Sequence, residues 1–281
     1  MLSRTGQEHH GVPEISLVAV ATAGGNPVAG RMAKTMAPCR QSAHEGLPDF
    51  ASVGSFGYCT DKFLLAPPCG AEVLPCRQLA CEDVFCGLMT RHKAAHPDAD
   101  PRAAASLWTL YYFSLLTITP TVCRLVHGRR LPLALGDLSV IIDPENALPV
   151  AFLIPHAGDQ AGKASAPEDL HGLLRDHLAA LIPSIARAAK LAPKLLWNNA
   201  AVYLSWIIGE IEAQADPALA RACRAVIDDA LWPDGSRNPM SGMVVKGNRR
   251  VCCLRYMIPT IGGCGASCPL PCGQNRDTHD A

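Results

Sequence analysis

The sequence predicts a mainly α protein with a small β-hairpin (α+β), in which a helical core carries a compact C-terminal cysteine motif. Three observations predict it. Apolar residues recur at helical spacing through much of positions 82–231. One stretch, 138–154, changes to short β-branched runs around a Pro144-Glu145-Asn146 turn. After Trp232 the periodicity stops, and Cys, Gly and Arg take its place.

Taken in order, residues 1–35 are rich in Gly, His, Ser and Ala without periodicity and read as a mobile N-terminal segment. Residues 36–80 are dense in Pro, Gly and Cys, which predicts irregular structure. A helix over 82–96 stops at Pro97, and Pro101-Arg102 opens a long apolar helix that Gly128 ends. Stretches 138–143 and 150–154 form the hairpin. Ser165 and Glu168 have the spacing of a capping box, with Pro167 in the first turn of a helix that buries Leu170, Leu173, Leu174, Leu178, Leu181 and Ile182. Pro183 is expected to break or kink it. A second helix begins near Pro193 with Leu195, Leu196, Val202, Tyr203, Trp206 and Ile207 inward, and a third runs over 216–231. The organisation is therefore 1–35, mobile; 36–160, Cys-rich with the hairpin; 161–240, helical; and 241–273, the cysteine motif.

Composition narrows the function. The 281 residues are 49% hydrophobic with a formal net charge of zero, enough for a core and without a global pull toward nucleic acid, so no nucleic-acid partner is expected. Thirteen cysteines, an odd number, argue against a fully paired secreted framework and for a reducing cytoplasm. An apolar run at 15–23 follows Glu8 and Glu14 against a single Arg4, a poor export leader. The run 107–123 is interrupted by Thr109, Ser114, Thr117, Thr119, Pro120 and Thr121 and falls short of the ~20 apolar residues of a span. A buried helix is expected there, which leaves room for peripheral contact with the inner membrane.

Chemistry concentrates near the C-terminus, where Cys252, Cys253, Cys264 and Cys268 follow the pattern C-C-x10-C-x3-C. A disulfide between adjacent cysteines is strained, so a metal satisfies both sulfurs more easily. Four thiolates suit a structural zinc or an iron-sulfur cluster, and spacing alone leaves both open beside free or disulfide-bonded thiols. Arg249, Arg250 and Arg255 crowd the pair, as suits anionic cluster ligands; a solvated basic turn is the plainer reading.

The segment Arg249-Arg250-Val251-Cys252-Cys253-Leu254-Arg255-Tyr256, with Pro259, Cys264-Gly265 and Cys268, resembles the C-terminal signature of ferric-siderophore reductases of the FhuF type. Leu196-Trp197-Asn198-Asn199 with Trp206, and Ser106-Leu107-Trp108 with Tyr111-Tyr112 and Pro120, are similar to the same family. The resemblance implies a 2Fe-2S cluster on Cys252, Cys253, Cys264 and Cys268, a compact C-terminal iron-sulfur motif. Three residues separate the last two cysteines here where the family has two, and Cys272 is the substitute for Cys268.

The resemblance further implies one-electron reduction of siderophore-bound Fe(III) to release Fe(II). The chain has no G-x-G-x-x-G, P-loop or H-E-x-x-H, so its electrons are expected from an external donor protein, a ferredoxin or flavoprotein. The ferric siderophore is expected in a pocket near the cluster, with Arg249, Arg250 and Lys246 attracting an anionic chelate. Two alternatives stand beside this: a zinc-stapled or metal-free helical protein that binds or helps to make siderophores, and a non-catalytic iron-sulfur protein.

Among other candidates, Cys81, Cys86, His92 and His96 form a C-x4-C-x5-H-x3-H series whose short gap favours ordinary core cysteines over a second metal site. Cys39, Cys59, Cys69 and Cys76 lack ligand-like spacing. Asn198 and Asn199 read as exposed helix residues, the alternative being that Asn199 faces the cluster or substrate pocket and donates hydrogen bonds to it. Trp108, Tyr111 and Tyr112 read as core rather than a siderophore-stacking surface.

Overall fold

Asp100 starts the longest helix: its carboxylate accepts from the Arg102 backbone N–H at 2.8 Å, and Pro101 sits in the first turn, where a missing donor costs nothing. The computed structural model describes residues 46–49, 54–214, 216–259, 261 and 267–270. In it this helix, α2 (Pro101–Leu125), follows the shorter α1 (Glu82–Ala94). Nearly all of α2 is buried, and its hydroxyls enter the core by bonding back to the helix: Thr117 to the Phe113 carbonyl at 2.7 Å and Thr121 to the Thr117 carbonyl at 2.6 Å. Among the described residues no helix is long and apolar enough to cross a membrane.

The hairpin forms as expected, with β4 (Ser139–Ile142) antiparallel to β5 (Pro149–Leu153). Asp143 accepts from the Glu145 N–H in the connecting turn, and the Ala147 carbonyl there accepts from the Trp108 indole at 2.9 Å, pinning the turn to α2. The Cys-rich stretch before α1 departs from expectation. It supplies β1 (Phe63–Leu64), parallel to β5, and β2 (Glu72–Pro75), antiparallel to β4, which complete a four-stranded sheet in the order β1-β5-β4-β2. Strands this short show no alternation, so composition hid them. A small second sheet pairs β3 (Arg129–Arg130) with β6 (Asp159–Gln160). Gly158 there has φ +76°, and a Cβ would lie 2.1 Å from the Arg130 carbonyl oxygen, so only glycine fits.

Helices α3 (Ala166–Leu173) and α4 (Ala179–Ala188) run on through a π turn at Leu174–Leu178. The capping box is not made. Ser165 instead donates to the Gly162 carbonyl and accepts from Arg124 at 2.7 Å, because the buried guanidinium takes the hydroxyl. Arg124 also pairs with Asp169 at 2.5 Å, and Asp169 with Arg130 at 2.6 Å. Pro183 does not break the helix either. The carbonyl it deprives of a donor belongs to Ala179, the first residue past the wide π turn, where the regular ladder is already interrupted.

Helix α5 (Pro193–Gln214) lies along α2, and α6 (Pro217–Asp228) is capped by Asp216, whose carboxylate accepts from Ala218 N at 2.9 Å. Asn238 folds back under α6 and donates to the carbonyls of Val226, Ile227 and Asp229, satisfying its open end. The chain then turns through a hairpin of β7 (Val244–Val245) and β8 (Asn248–Arg249) and reaches a 3-10 turn at Arg255–Met257. One hydrophobic core runs from Phe56 to Ile258 and includes Cys253, so the cysteine segment packs on the same core as the helices. The expected mobile segment 1–35 lies outside the described residues.

Candidate functional site

The α2–α5 pair presents four buried polar side chains to the cysteine segment: Ser106 and Thr109 from α2, Asn198 and Asn199 from α5. Both asparagines are 0% exposed. Asn198 donates to the Met243 carbonyl at 2.9 Å and accepts from the Val251 N–H at 2.6 Å. One partner is a carbonyl and the other an N–H, so the amide has one orientation only. Asn199 donates to Thr109 Oγ1 at 3.1 Å and Ser106 Oγ at 3.2 Å, and accepts from Arg249 Nη1 at 2.7 Å. Ser106 in turn donates to the Cys253 carbonyl at 2.7 Å. The segment 243–253 is thus clamped to two helices, and the expectation of exposed asparagines is overturned.

The clamp gathers sulfur. The Arg249 backbone N–H donates to the Ser267 carbonyl at 3.0 Å, which brings neighbouring Cys268 back to the paired cysteines. Cys252 is half-buried, whereas Cys253 and Cys268 are buried. Burial pushes the Cys252 thiol up; the Leu254 N–H pulls it down, nearby Cys253 and Cys268 push it up, and the Arg249 charge pulls it down. Two backbone donors point at sulfur, Leu254 N–H at Cys252 Sγ (3.3 Å) and Leu270 N–H at Cys268 Sγ (3.5 Å). Leu254 itself has φ +62°, a left-handed turn just after the paired cysteines.

Cys264 and Cys272 lie outside the described residues, and among the described residues no group of three or more His, Cys, Asp or Glu is arranged to hold a metal ion. The donor set nevertheless fits a thiolate-bound group: N–H donors to sulfur and a buried guanidinium lower the cost of negative charge on the cysteines, against the burial that raises it.

The three arginines separate in role. Arg249 is 8% exposed and spent on Asn199, so it is neither a solvated turn residue nor an open contact for a chelate. Arg250 and Lys246 are exposed. Arg255 is half-buried, its charge near the hydroxyls of Tyr111 and Tyr203.

Trp108 and Tyr112 stack in the core with ring centroids 5.2 Å apart, while Tyr111 is half-buried. Tyr112 meets His177 Nε2 at 2.8 Å, and His177 Nδ1 faces the Leu133 carbonyl at 2.9 Å. A carbonyl only accepts, so Nδ1 carries the proton and Nε2 accepts from the tyrosine. Among the described residues the Cys81–His96 series is not gathered into a ligand group: Cys81 and Cys86 are exposed rather than core, and buried His92 sits against the Asn146 carbonyl at 2.9 Å.

A cavity of about 220 Å³, lined by Pro120, Arg124, Leu131, Asp169, Leu173 and Cys223 among others, lies at the far end of α2. Ser106 and Arg124 are eighteen residues apart, about 27 Å of helix, so this cavity is remote from the cysteines.

The sequence alone missed Ser106, Thr109, Met243 and Ser267 as parts of the site. A Ser-x-x-Thr step in the first turns of α2 was the available signal for the first two; carbonyl partners leave none.

Fold and clamp together define a helical protein built to hold a C-terminal Arg-Arg-Val-Cys-Cys segment. The family described as ferric iron reductase FhuF-like transporter matches residues 106–251, just over half of the 281, and the chain belongs to this family. It is similar to the ferric siderophore reductase of Escherichia coli (strain K12), with 22% identity over 166 residues, covering 57% of this chain and 63% of that protein. The chain therefore aligns with a little under two thirds of this relative's length. The family match takes in every clamp side chain from Ser106 to Arg249 and ends one residue before Cys252.

Proposed function

We infer that the protein is a ferric-siderophore reductase, passing one electron to siderophore-bound Fe(III) at the edge of the fold where Cys252 is half-exposed. The observation that carries this reading is the buried Ser106–Asn199–Arg249 and Asn198–Val251 clamp, which lies wholly inside the family-matched segment and exists to fix the cysteine pair. A 2Fe-2S cluster held by Cys252, Cys253, Cys264 and Cys268, with Cys272 as substitute for Cys268, would supply electrons one at a time.

The chain's own residues do the rest. Asn198 and Ser106 hold the backbone on either side of Cys252, so its sulfur keeps a fixed place through a redox cycle. Arg249 sets a positive charge beside the thiolates. Arg250 and Lys246 remain outside to meet an anionic chelate. Hard oxygen ligands hold Fe(III) far better than Fe(II), so the incoming electron loosens the chelate and frees the metal. With no nucleotide or flavin fingerprint in the sequence, the electron comes from another protein. Free thiols at Cys59, Cys69, Cys76, Cys81 and Cys86 suit a reducing compartment.

The test is anaerobic turnover: reduced protein is mixed with a ferric trihydroxamate and released Fe(II) is captured by a coloured ferrous chelator. The wild type should release iron in proportion to added electrons, and Cys253→Ser should not. A protein that carries the cluster yet leaves the ferric chelate intact would be a non-catalytic iron-sulfur protein.

A further inference from the structure

Between Gly235 and Arg276 the sequence contains no Asp or Glu, yet it holds Arg237, Lys246, Arg249, Arg250 and Arg255, although the whole chain has a formal net charge of zero. The same region also holds exposed apolar surface. Among the described residues the large hydrophobic side chains left exposed are Leu231, Val245 and Tyr256, the last two at 50% and 53%. Val245 and Lys246 stand at the tip of the β7–β8 hairpin, where Lys246 and Gly247 have φ +50° and +77°, a tight turn that displays both side chains rigidly. Lys246 and Arg250 are exposed and in no ion pair among the described residues.

These groups lie close to the half-exposed sulfur along the chain. Arg250 precedes Cys252 by two residues and Tyr256 follows it by four, at most about 7 and about 14 Å of chain. A standard interface covers roughly 800 Å² per partner, on the order of 30 Å across, so a single footprint takes in the hairpin tip, Cys252 and Tyr256. An exposed tyrosine and valine beside Lys246 and Arg250, on a chain segment without acid, is the composition of a recognition surface rather than of solvated surface.

We propose that the face formed by Val245, Lys246, Arg250 and Tyr256 around Cys252 is the docking surface for an acidic electron-donor protein. This rests on the reductase reading and adds to it where the donor binds and what charge it carries, the donor and the ferric chelate using the same cations in turn. The positive rim steers an acidic partner to the face, and the apolar pair holds it with the shortest path to the cysteines. A 2Fe-2S cluster held by the cysteines would accept one electron from the donor's reduced cofactor, the donor being oxidised by one unit.

The probe is a plant-type 2Fe-2S ferredoxin, small and acidic, immobilised, with binding of the full-length protein measured over a range of salt. The wild type should bind with an affinity that falls as salt rises. Lys246→Glu/Arg250→Glu should weaken it about tenfold or more, whereas Arg187→Glu/Arg221→Glu, the same charge change elsewhere on the surface, should weaken it less than about twofold. Tyr256→Ala should weaken it several-fold without changing the salt dependence. Equal losses in the two double variants, or no loss in either, would overturn the proposal. So would a Lys246/Arg250-dependent attachment to phosphatidylglycerol vesicles with no ferredoxin binding, which would make this face a membrane contact. The visible spectrum of the same samples separates the two readings: salt-sensitive, patch-dependent binding by a colourless protein would sink the reductase reading and spare the surface, and a coloured protein that ignores the probe would do the reverse.

Discussion

Asn199 Oδ1 accepts a 2.7 Å hydrogen bond from the Arg249 guanidinium, and both groups are buried. The cation at the mouth of the cysteine segment is therefore held by a neutral amide, which Ser106 and Thr109 orient in turn. A carboxylate partner would cancel the charge; an amide fixes its position and leaves it available to nearby sulfur.

Replacing Asn199 by Leu keeps the volume and removes the acceptor, leaving Arg249 buried without its partner. Denaturant unfolding should show a loss of about 2–4 kcal/mol. In a double-mutant cycle with Arg249→Met the pair should couple by about 1–3 kcal/mol. Additive effects would mean that the two residues act separately.

Asn198→Ala leaves the Val251 N–H and the Met243 carbonyl without their buried partner. A stability loss of about 2–3 kcal/mol is expected, with hydrogen exchange accelerated at Val251 and unchanged in α1. Equal acceleration in both would indicate global rather than local loosening.

Cys252→Ser and Cys253→Ser should each abolish a visible chromophore, whereas Cys76→Ser should leave it intact, because Cys76 is buried against Tyr112 and is not part of the cysteine segment. Comparing Cys268→Ser with Cys272→Ser decides which sulfur completes the set. An unchanged spectrum in Cys253→Ser would remove that residue from the ligands.

Acid should destabilise the protein through His177, whose pKa is lowered to about 4 by burial against an ordinary value of 6.5. Below 6.5 the unfolded chain takes up a proton that the folded one refuses, so this contribution is complete above about 6.5 and is lost as pH falls toward 4. His92, also lowered to about 4 by burial, adds in the same direction. Stability should fall by up to about 1.4 kcal/mol per pH unit for each histidine across that window. His177→Gln should remove about one proton from the measured slope; an unchanged slope would assign the acid sensitivity elsewhere.

Much of the fold was legible because its signals are local and long. α2, α5 and α6 announce themselves by a proline at the start and apolar residues at helical spacing, and the β4–β5 hairpin by β-branched runs about a Pro-Glu-Asn turn. What stayed hidden depends on partners distant in sequence. β1 and β2 are strands only because β5 and β4 pair with them. Ser165 fails as a cap because Arg124, forty-one residues away, takes its hydroxyl. Asn198 and Asn199 looked exposed because helix propensity says nothing of what packs on a helix, and here the partners lie 45 to 93 residues away. The cysteine motif, by contrast, was visible at once, since ligand chemistry is written in residue type.

The measurement that tests the account most directly is low-temperature electron paramagnetic resonance, with iron and sulfide analysis, on anaerobically purified protein before and after dithionite. A 2Fe-2S centre on these cysteines should give equal iron and sulfide and a signal that appears only on reduction. Zinc, or no metal after reconstitution, would contradict it: the clamp would then hold a cysteine segment that carries no electron-transfer centre.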